Sequence, residues 1–296
     1  MRIILDAGPQ CHRVPVQESV TLESNTDSMA DLPSHLHLVY HALQPYPADI
    51  PLEDVYANLD LPAGDGSRPF VYLNMVQTFD GQTVLDGTAW TIGTDADHHL
   101  FRQLRVHADV VLYGAGTLRT DDVIVTTHPA LQERRVRRGQ PPNPLGIVVT
   151  ATCHFATETF GKKFFRRTDL DRLVITTPRA TAADVDRVRA AGVAVEIVPA
   201  TPDGEVDLTA VMRYLTGKHV RRVLCEGGPR LNAGVARAGF IDELFVTTGL
   251  RLGGDPTAPR LFTAPVTDRP LHLISEYHYR APQGVREMYF RFRYPR

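Results

Sequence analysis

The chain has 296 residues, 43% hydrophobic and 22% charged, which suits one large globular domain, or two small ones, with a real core. Its 32 Lys and Arg against 34 Asp and Glu leave a formal charge of −2, so no basic field invites nucleic acid or an anionic membrane. No run nears the ~20 apolar residues that span a bilayer, the start lacks a signal peptide's apolar centre, and three scattered cysteines (Cys11, Cys153, Cys225) fit neither a disulfide framework nor a Cys-x-x-Cys zinc site.

Residues 9–34 are rich in Pro, Ser, Thr, Asn and Asp, which predicts loop or disorder. Leu36, Leu38, Val39 and Leu43 suggest one short helix, closed by Pro45 and Pro47. Gly64 to Ser67 reads as a linker. Residues 1–66 are therefore expected to be an N-terminal arm, partly irregular. They hold too little apolar sequence to enclose a core, and should pack on the main domain or on a neighbouring subunit.

From residue 67 to 296 the pattern sharpens into one α/β domain. Phe70 to Val76 reads as a strand, with Asp80-Gly81 as a turn. Phe101, Leu104 and Ala108 recur at helical spacing over 94–108. Strands follow at 109–113, 145–150 and 172–177, then a helix over 182–191 and a strand at 193–198. Leu208, Val211, Met212 and Leu215 mark a helix at i, i+3, i+4, i+7. A strand over 221–225, a helix over 231–238 and a strand over 241–248 continue the alternation, which implies a mostly parallel sheet with helices on both faces. The segments 271–277 and 285–294 are joined by a short link and predict an antiparallel C-terminal hairpin.

In parallel α/β sheets, ligands sit at the carboxyl ends of strands, against helix N-termini. Two such ends are glycine-rich: Tyr113-Gly114-Ala115-Gly116-Thr117, and Cys225-Glu226-Gly227-Gly228-Pro229-Arg230-Leu231-Asn232. Together they favour a phosphate-bearing cofactor. Arg119 stands where a dinucleotide fingerprint needs its third glycine, and Gly161-Lys162 lacks the rest of a P-loop. His98 and His99 are adjacent on a helix and read as a surface pair rather than a metal site, and the arginines at 134, 135, 137 and 138 read as a solvated loop. Asp121 and Glu226, acids beside phosphate-binding turns, are the best candidates to hold a polar substrate; the alternative is that each caps a helix or pairs with an arginine.

The runs 68–81, 104–122 and 225–232, with Phe240 to Phe245 and Leu252-Gly-Gly254, resemble the riboflavin-biosynthesis pyrimidine reductases, in order and over about residues 68–294. The resemblance implies a dihydrofolate-reductase-like fold, NADPH as cofactor, no metal, a cytoplasmic homodimer and a phosphorylated pyrimidine substrate. Hydride would reduce the ring-opened ribosyl C1′ to the ribityl product. By the same resemblance Asp121 and Glu226 are the catalytic acids, and Asn74, Arg105, Thr126 and His128 bind substrate. Gly114, Gly116, Thr117, Gly227, Gly228 and Leu231 would contact the cofactor, with Thr177 and Arg179 at its 2′-phosphate. Asn74 replaces a bacterial lysine and matches the archaeal and fungal type, which points to the 2,5-diamino-pyrimidinone substrate; Thr88-Ala89, Val123 and His128 are further departures. A dihydrofolate reductase and a non-catalytic NADP-binding protein are the rival readings.

Overall fold

The computed structural model describes residues 32–295 except 44, 46, 123, 124, 265 and 267–269. The expectations for residues 9–31 and for Val123 fall outside that set. The described chain opens on two strands, β1 (His35–His41), where the sequence reading expects a helix, and β2 (Ala48–Pro51). Leu36 and Leu38 lie two apart, so in a strand both turn to one face, and both are buried. Antiparallel pairing with a distant partner, β10 (His272–Ala281), overrides the local spacing.

Between these edges run β3 (Phe70–Thr78), β4 (Val110–Gly114), β5 (Leu145–Val149), β6 (Arg172–Thr176), β7 (Ala194–Ile197), β8 (Arg222–Cys225) and β9 (Glu243–Gly249); β11 (Gly284–Arg293) completes the hairpin with β10. The sheet order is β2-β1-β10-β11-β9-β3-β8-β4-β5-β6-β7. Pairing is parallel from β9 through β7 and antiparallel from β9 through β11, β10 and β1 to β2. The expected mostly parallel sheet with an antiparallel C-terminal hairpin is thus observed, but β1 and β2 lie beyond the hairpin and form that edge of the sheet.

Alternation along the parallel strands builds two cores. Phe70, Tyr72, Val111, Tyr113, Val148, Val174, Leu224 and Phe245 face one side, under α1 (Asp95–His107), α2 (Ala115–Thr120) and, later in the chain, α4 (Lys163–Arg166) and α5 (Ala182–Ala190). Val71, Leu73, Val110, Leu112, Ile147, Ile175, Val223 and Leu244 face the other, under α6 (Leu208–Gly217) and α7 (Pro229–Arg237). Helix starts follow capping chemistry: the Thr94 side chain accepts from Ala96 N–H, and the Asp207 carboxylate from Thr209 and Ala210 N–H.

The arginine run is not a solvated loop. It forms α3 (Pro129–Arg137), and Arg135 is 0% exposed. Its guanidinium donates to the carbonyls of Arg105 (2.8 Å), Val106 (3.2 Å), Ala108 (2.6 Å) and Pro141 (2.9 Å). Burial lowers its pKa to about 10, which leaves it charged at neutral pH. Residues 52–62 are also built into the domain. Leu52, Val55, Tyr56 and Leu61 are buried, and the carbonyls of Glu53, Tyr56 and Ala57 bond the side chains of Gln103, His107 and Arg134.

Candidate active site

Strands β4 and β8 are neighbours, and both glycine-rich turns leave from their carboxyl ends. The turns touch. Gly114 N–H donates to the Gly227 carbonyl at 2.7 Å. A Cβ on Gly228 would come within 3.2 Å of Thr117 Oγ1, and one on Gly114 would lie 3.7 Å from Leu231 Cβ. Gly227 has φ +81°, and a Cβ there would press to 2.7 Å on Met75 Sδ of β3, so this position requires glycine twice over. Neither α2 nor α7 has a capping side chain, and α7 starts with Pro229 at N1. The first-turn N–H groups of α7 are therefore left for a ligand. A Cβ on Gly116 would meet nothing within 4 Å, so the surface there is open.

Beside the turns lies a buried ion pair. Arg105, from α1, donates through Nε to Glu226 Oε1 and through Nη2 to Oε2, both at 2.7 Å. The side chains are 4% and 7% exposed. The arginine also donates from Nη1 to the Thr126 carbonyl at 3.0 Å, and its guanidinium lies 3.9 Å from the centre of the Phe101 ring. A bidentate fork of this kind fixes both planes. The pairing alternative for Glu226 is thus present, and its partner is the arginine singled out beside it. Asn74 belongs to the same face: along β3, Phe70 and Tyr72 turn toward α1, so Asn74 does too, as Glu226 does two residues after Leu224.

Asp121 ends α2 and is held differently. The Thr88 hydroxyl donates to Oδ1 at 2.6 Å and the Thr120 hydroxyl to Oδ2 at 3.0 Å. Lys162 Nζ reaches the carbonyls of Arg119 and Asp121 at 2.7 and 3.2 Å, which ties the loop in place. His128 is exposed and starts α3, and Thr126 is half-buried.

The model of the RibD C-terminal domain family matches residues 69–285. The chain belongs to this family. Its curated relatives include the 2,5-diamino-6-ribosylamino-4(3H)-pyrimidinone 5′-phosphate reductase of Archaeoglobus fulgidus, 27% identical over 195 residues, covering 63% of this chain and 83% of the relative. The riboflavin biosynthesis protein RibD of Chlamydia pneumoniae is 28% identical over 196 residues, covering 64% of this chain and 48% of its own length. Among solved structures, a pyrimidine reductase-like protein from Corynebacterium diphtheriae has a TM-score of 0.68 at 21% identity, covering 83% of this chain and 98% of that one. The riboflavin biosynthesis reductase of Saccharomyces cerevisiae reaches 0.54 at 19%, over 78% and 91% of the two chains. The fold of this RibD domain is therefore that of the pyrimidine reductases.

Two expected residues of the RibD domain lie apart from this cluster. Thr177 and Arg179 follow β6, two strands beyond β4. The Thr177 hydroxyl is fully buried and donates to the Ala151 carbonyl at 2.7 Å, and Arg179 Nη1 donates to the Gly204 carbonyl at 2.9 Å. The histidine pair is not a surface pair: His98 is 9% exposed, its ring stacks on Trp90 at 3.5 Å and 15°, and burial lowers its pKa. The residues whose part in the site sequence reasoning passed over are Trp90 and Lys162; Thr88, noted there only as a departure from the family pattern, bonds Asp121. For Lys162 the only signal was a failed P-loop match, because its targets are main-chain carbonyls about 40 residues away.

Proposed function

We propose that this chain is an NADPH-dependent reductase of 2,5-diamino-6-ribosylamino-pyrimidinone 5′-phosphate. The observation that supports it best is the contact of two glycine turns, through Gly114 and Gly227, beside the Arg105–Glu226 pair. The turns suit a dinucleotide: uncapped helix N-termini meet phosphates, and the backbone at Gly114, Gly116, Thr117, Gly227 and Gly228 allows close approach, with Leu231 behind. Arg179, exposed after β6, stands at the adenosine end of this reading, and the buried Thr177 braces that turn by accepting from Arg179 N–H. The cofactor supplies the hydride.

The chain's own residues orient the acceptor. Asp121, fixed by two hydroxyl donors, accepts hydrogen bonds from the opened sugar. Glu226 lies at the sugar's reacting end and is held there by Arg105. Asn74 offers a side-chain amide to the pyrimidine edge, where a lysine would bring a charge. Thr126 and His128 border the phosphate end. The active form is a homodimer in the cytoplasm.

The test follows NADPH absorbance with the 2,5-diamino compound, its deaminated uracil analogue and dihydrofolate. The 2,5-diamino compound should be the fastest, and Asp121→Asn should lower its turnover about 100-fold. Turnover fastest with dihydrofolate, or oxidation with none of the three, would overturn the reading.

A further inference from the structure

The glycine-rich motif over 225–232 ends on an asparagine to which no role has yet been given. Asn232 is 0% exposed, one of the buried residues of α7 with Leu231, Ala233, Val235 and Ala236. A buried amide costs free energy unless its polar atoms are bonded, and an aliphatic side chain would fill the space without that demand. Both ends of this amide are bonded. Nδ2 donates to the Leu261 carbonyl at 2.9 Å, and Oδ1 accepts from Cys225 Sγ at 3.7 Å. The same Nδ2 lies 3.5 Å from where a Cβ on Gly227 would stand, so that glycine is confined between the amide and Met75.

Leu261 belongs to the loop 250–262, which is itself bound to the turn after β3. The Asp80 carboxylate accepts from Gly253 N–H at 3.0 Å and from Gly254 N–H at 2.8 Å, and the Asp80 carbonyl accepts from Arg260 Nη1 at 2.6 Å. Thr83 donates to the Pro259 carbonyl from its amide at 2.9 Å and from its hydroxyl at 3.1 Å, and Phe79 N–H donates to the Arg251 carbonyl at 2.9 Å. Turn and loop therefore form one hydrogen-bonded body. Among the described residues, the bond from Asn232 to Leu261 is the one hydrogen bond that joins this body to α7.

We propose that Asn232 is a positioning residue for the cofactor: it latches the Gly227–Gly228 turn and the start of α7 to the 250–262 loop. The N–H groups that meet the phosphates are thereby held still, which spares the ligand the cost of ordering them. Asn232 itself touches no ligand. The proposal rests on the reductase reading above only in naming NADPH as that ligand.

The experiment measures NADPH binding by calorimetry, and steady-state kinetics with the pyrimidine, for wild type, Asn232→Ala, Asp80→Ala and the double variant. Asp80 lies in a turn outside both cores, so its loss spares the fold. Asn232→Ala should weaken NADPH binding about 10-fold. It should leave kcat at saturating NADPH, and KM for the pyrimidine, within about threefold. Asp80→Ala frees the loop at its far end and should weaken NADPH binding about threefold, with the double variant within about twofold of Asn232→Ala. Single effects that multiply in the double variant, equal rises in both KM values, or NADPH affinity unchanged in Asn232→Ala would overturn the latch. Should Asn232→Ala fail to fold, Asp80→Ala decides: affinity equal to wild type ends the proposal, and weakened affinity sustains it. A wild type that binds NADPH but reduces no pyrimidine defeats the functional reading alone, and the binding data still judge Asn232. A wild type that binds no NADPH defeats both.

Discussion

The two halves of the sheet handle polarity in opposite ways. In the central parallel strands β8, β4, β5 and β6, strand interiors are apolar on both faces and the charges collect where strands end, as at Glu226. In the antiparallel half, charge lies inside the strands themselves. Glu287 of β11 is 1% exposed and accepts from the Thr94 amide (2.5 Å) and hydroxyl (2.6 Å) and from the Tyr289 hydroxyl, and Arg291 pairs with Glu243 at 2.8 Å. Helices on both faces leave the parallel strands no room for water, so polar groups gather at the ends, where a ligand can reach them. Strands covered on one face can carry satisfied polar groups along their length, and these brace the sheet.

The most severe way to break the comparison is to remove part of the antiparallel half. Deleting residues 1–66 takes away Leu36, Leu38, Leu52, Val55, Tyr56 and Leu61, all buried. At roughly 1.5–3 kcal/mol per side chain this rivals the whole stability of a domain. The truncated chain should show no cooperative thermal transition; a native-like melt would show that these strands only decorate the edge.

A smaller loss is expected from splitting the pair at the strand ends. Glu226→Ala leaves the Arg105 guanidinium buried without its carboxylate, which costs about 3–5 kcal/mol. Urea unfolding should show it, and an unchanged midpoint would mean that Arg105 finds water there. The double variant Arg105→Met with Glu226→Ala should be less destabilised than Glu226→Ala alone.

The mildest effect at neutral pH concerns Asp97 of α1, which faces Glu287 and Thr247. Burial and then the Glu287 charge push its pKa up to about 7. The folded protein therefore holds a proton that the unfolded chain gives up near pH 4, so this group's stabilisation is complete below pH 4 and fades as pH rises toward 7. Asp97→Asn should flatten the fall in melting temperature between pH 4 and 7. A slope equal to wild type would assign the proton elsewhere.

Much of the fold was legible because the parallel strands carry short apolar runs between turn residues, and α1 and α6 carry helical spacing. What escaped was set by distant partners. His35-Leu-His-Leu38 alternates like a strand, but Val39 and Leu43 supplied a competing helical spacing, and only pairing with β10 decides between them. The arginines of α3 look solvated until four main-chain carbonyls from elsewhere converge on Arg135. At the site, the glycine turns could be read because glycine is the residue such backbones need. That Glu226 could pair with an arginine was open to sequence reading, but which arginine was not, because Arg105 lies 121 positions away.

The guanidinium of Arg135 sits at the C-terminal pole of α1, where peptide dipoles pile up negative potential. That pole is sealed from solvent, so an internal counter-ion does the work that water does for an exposed helix. The helix is thereby pinned along its own axis, one turn past Arg105. A residue that never meets a ligand thus sets how far that arginine can slide, and the grip on Glu226 inherits its tolerance from the far end of the helix.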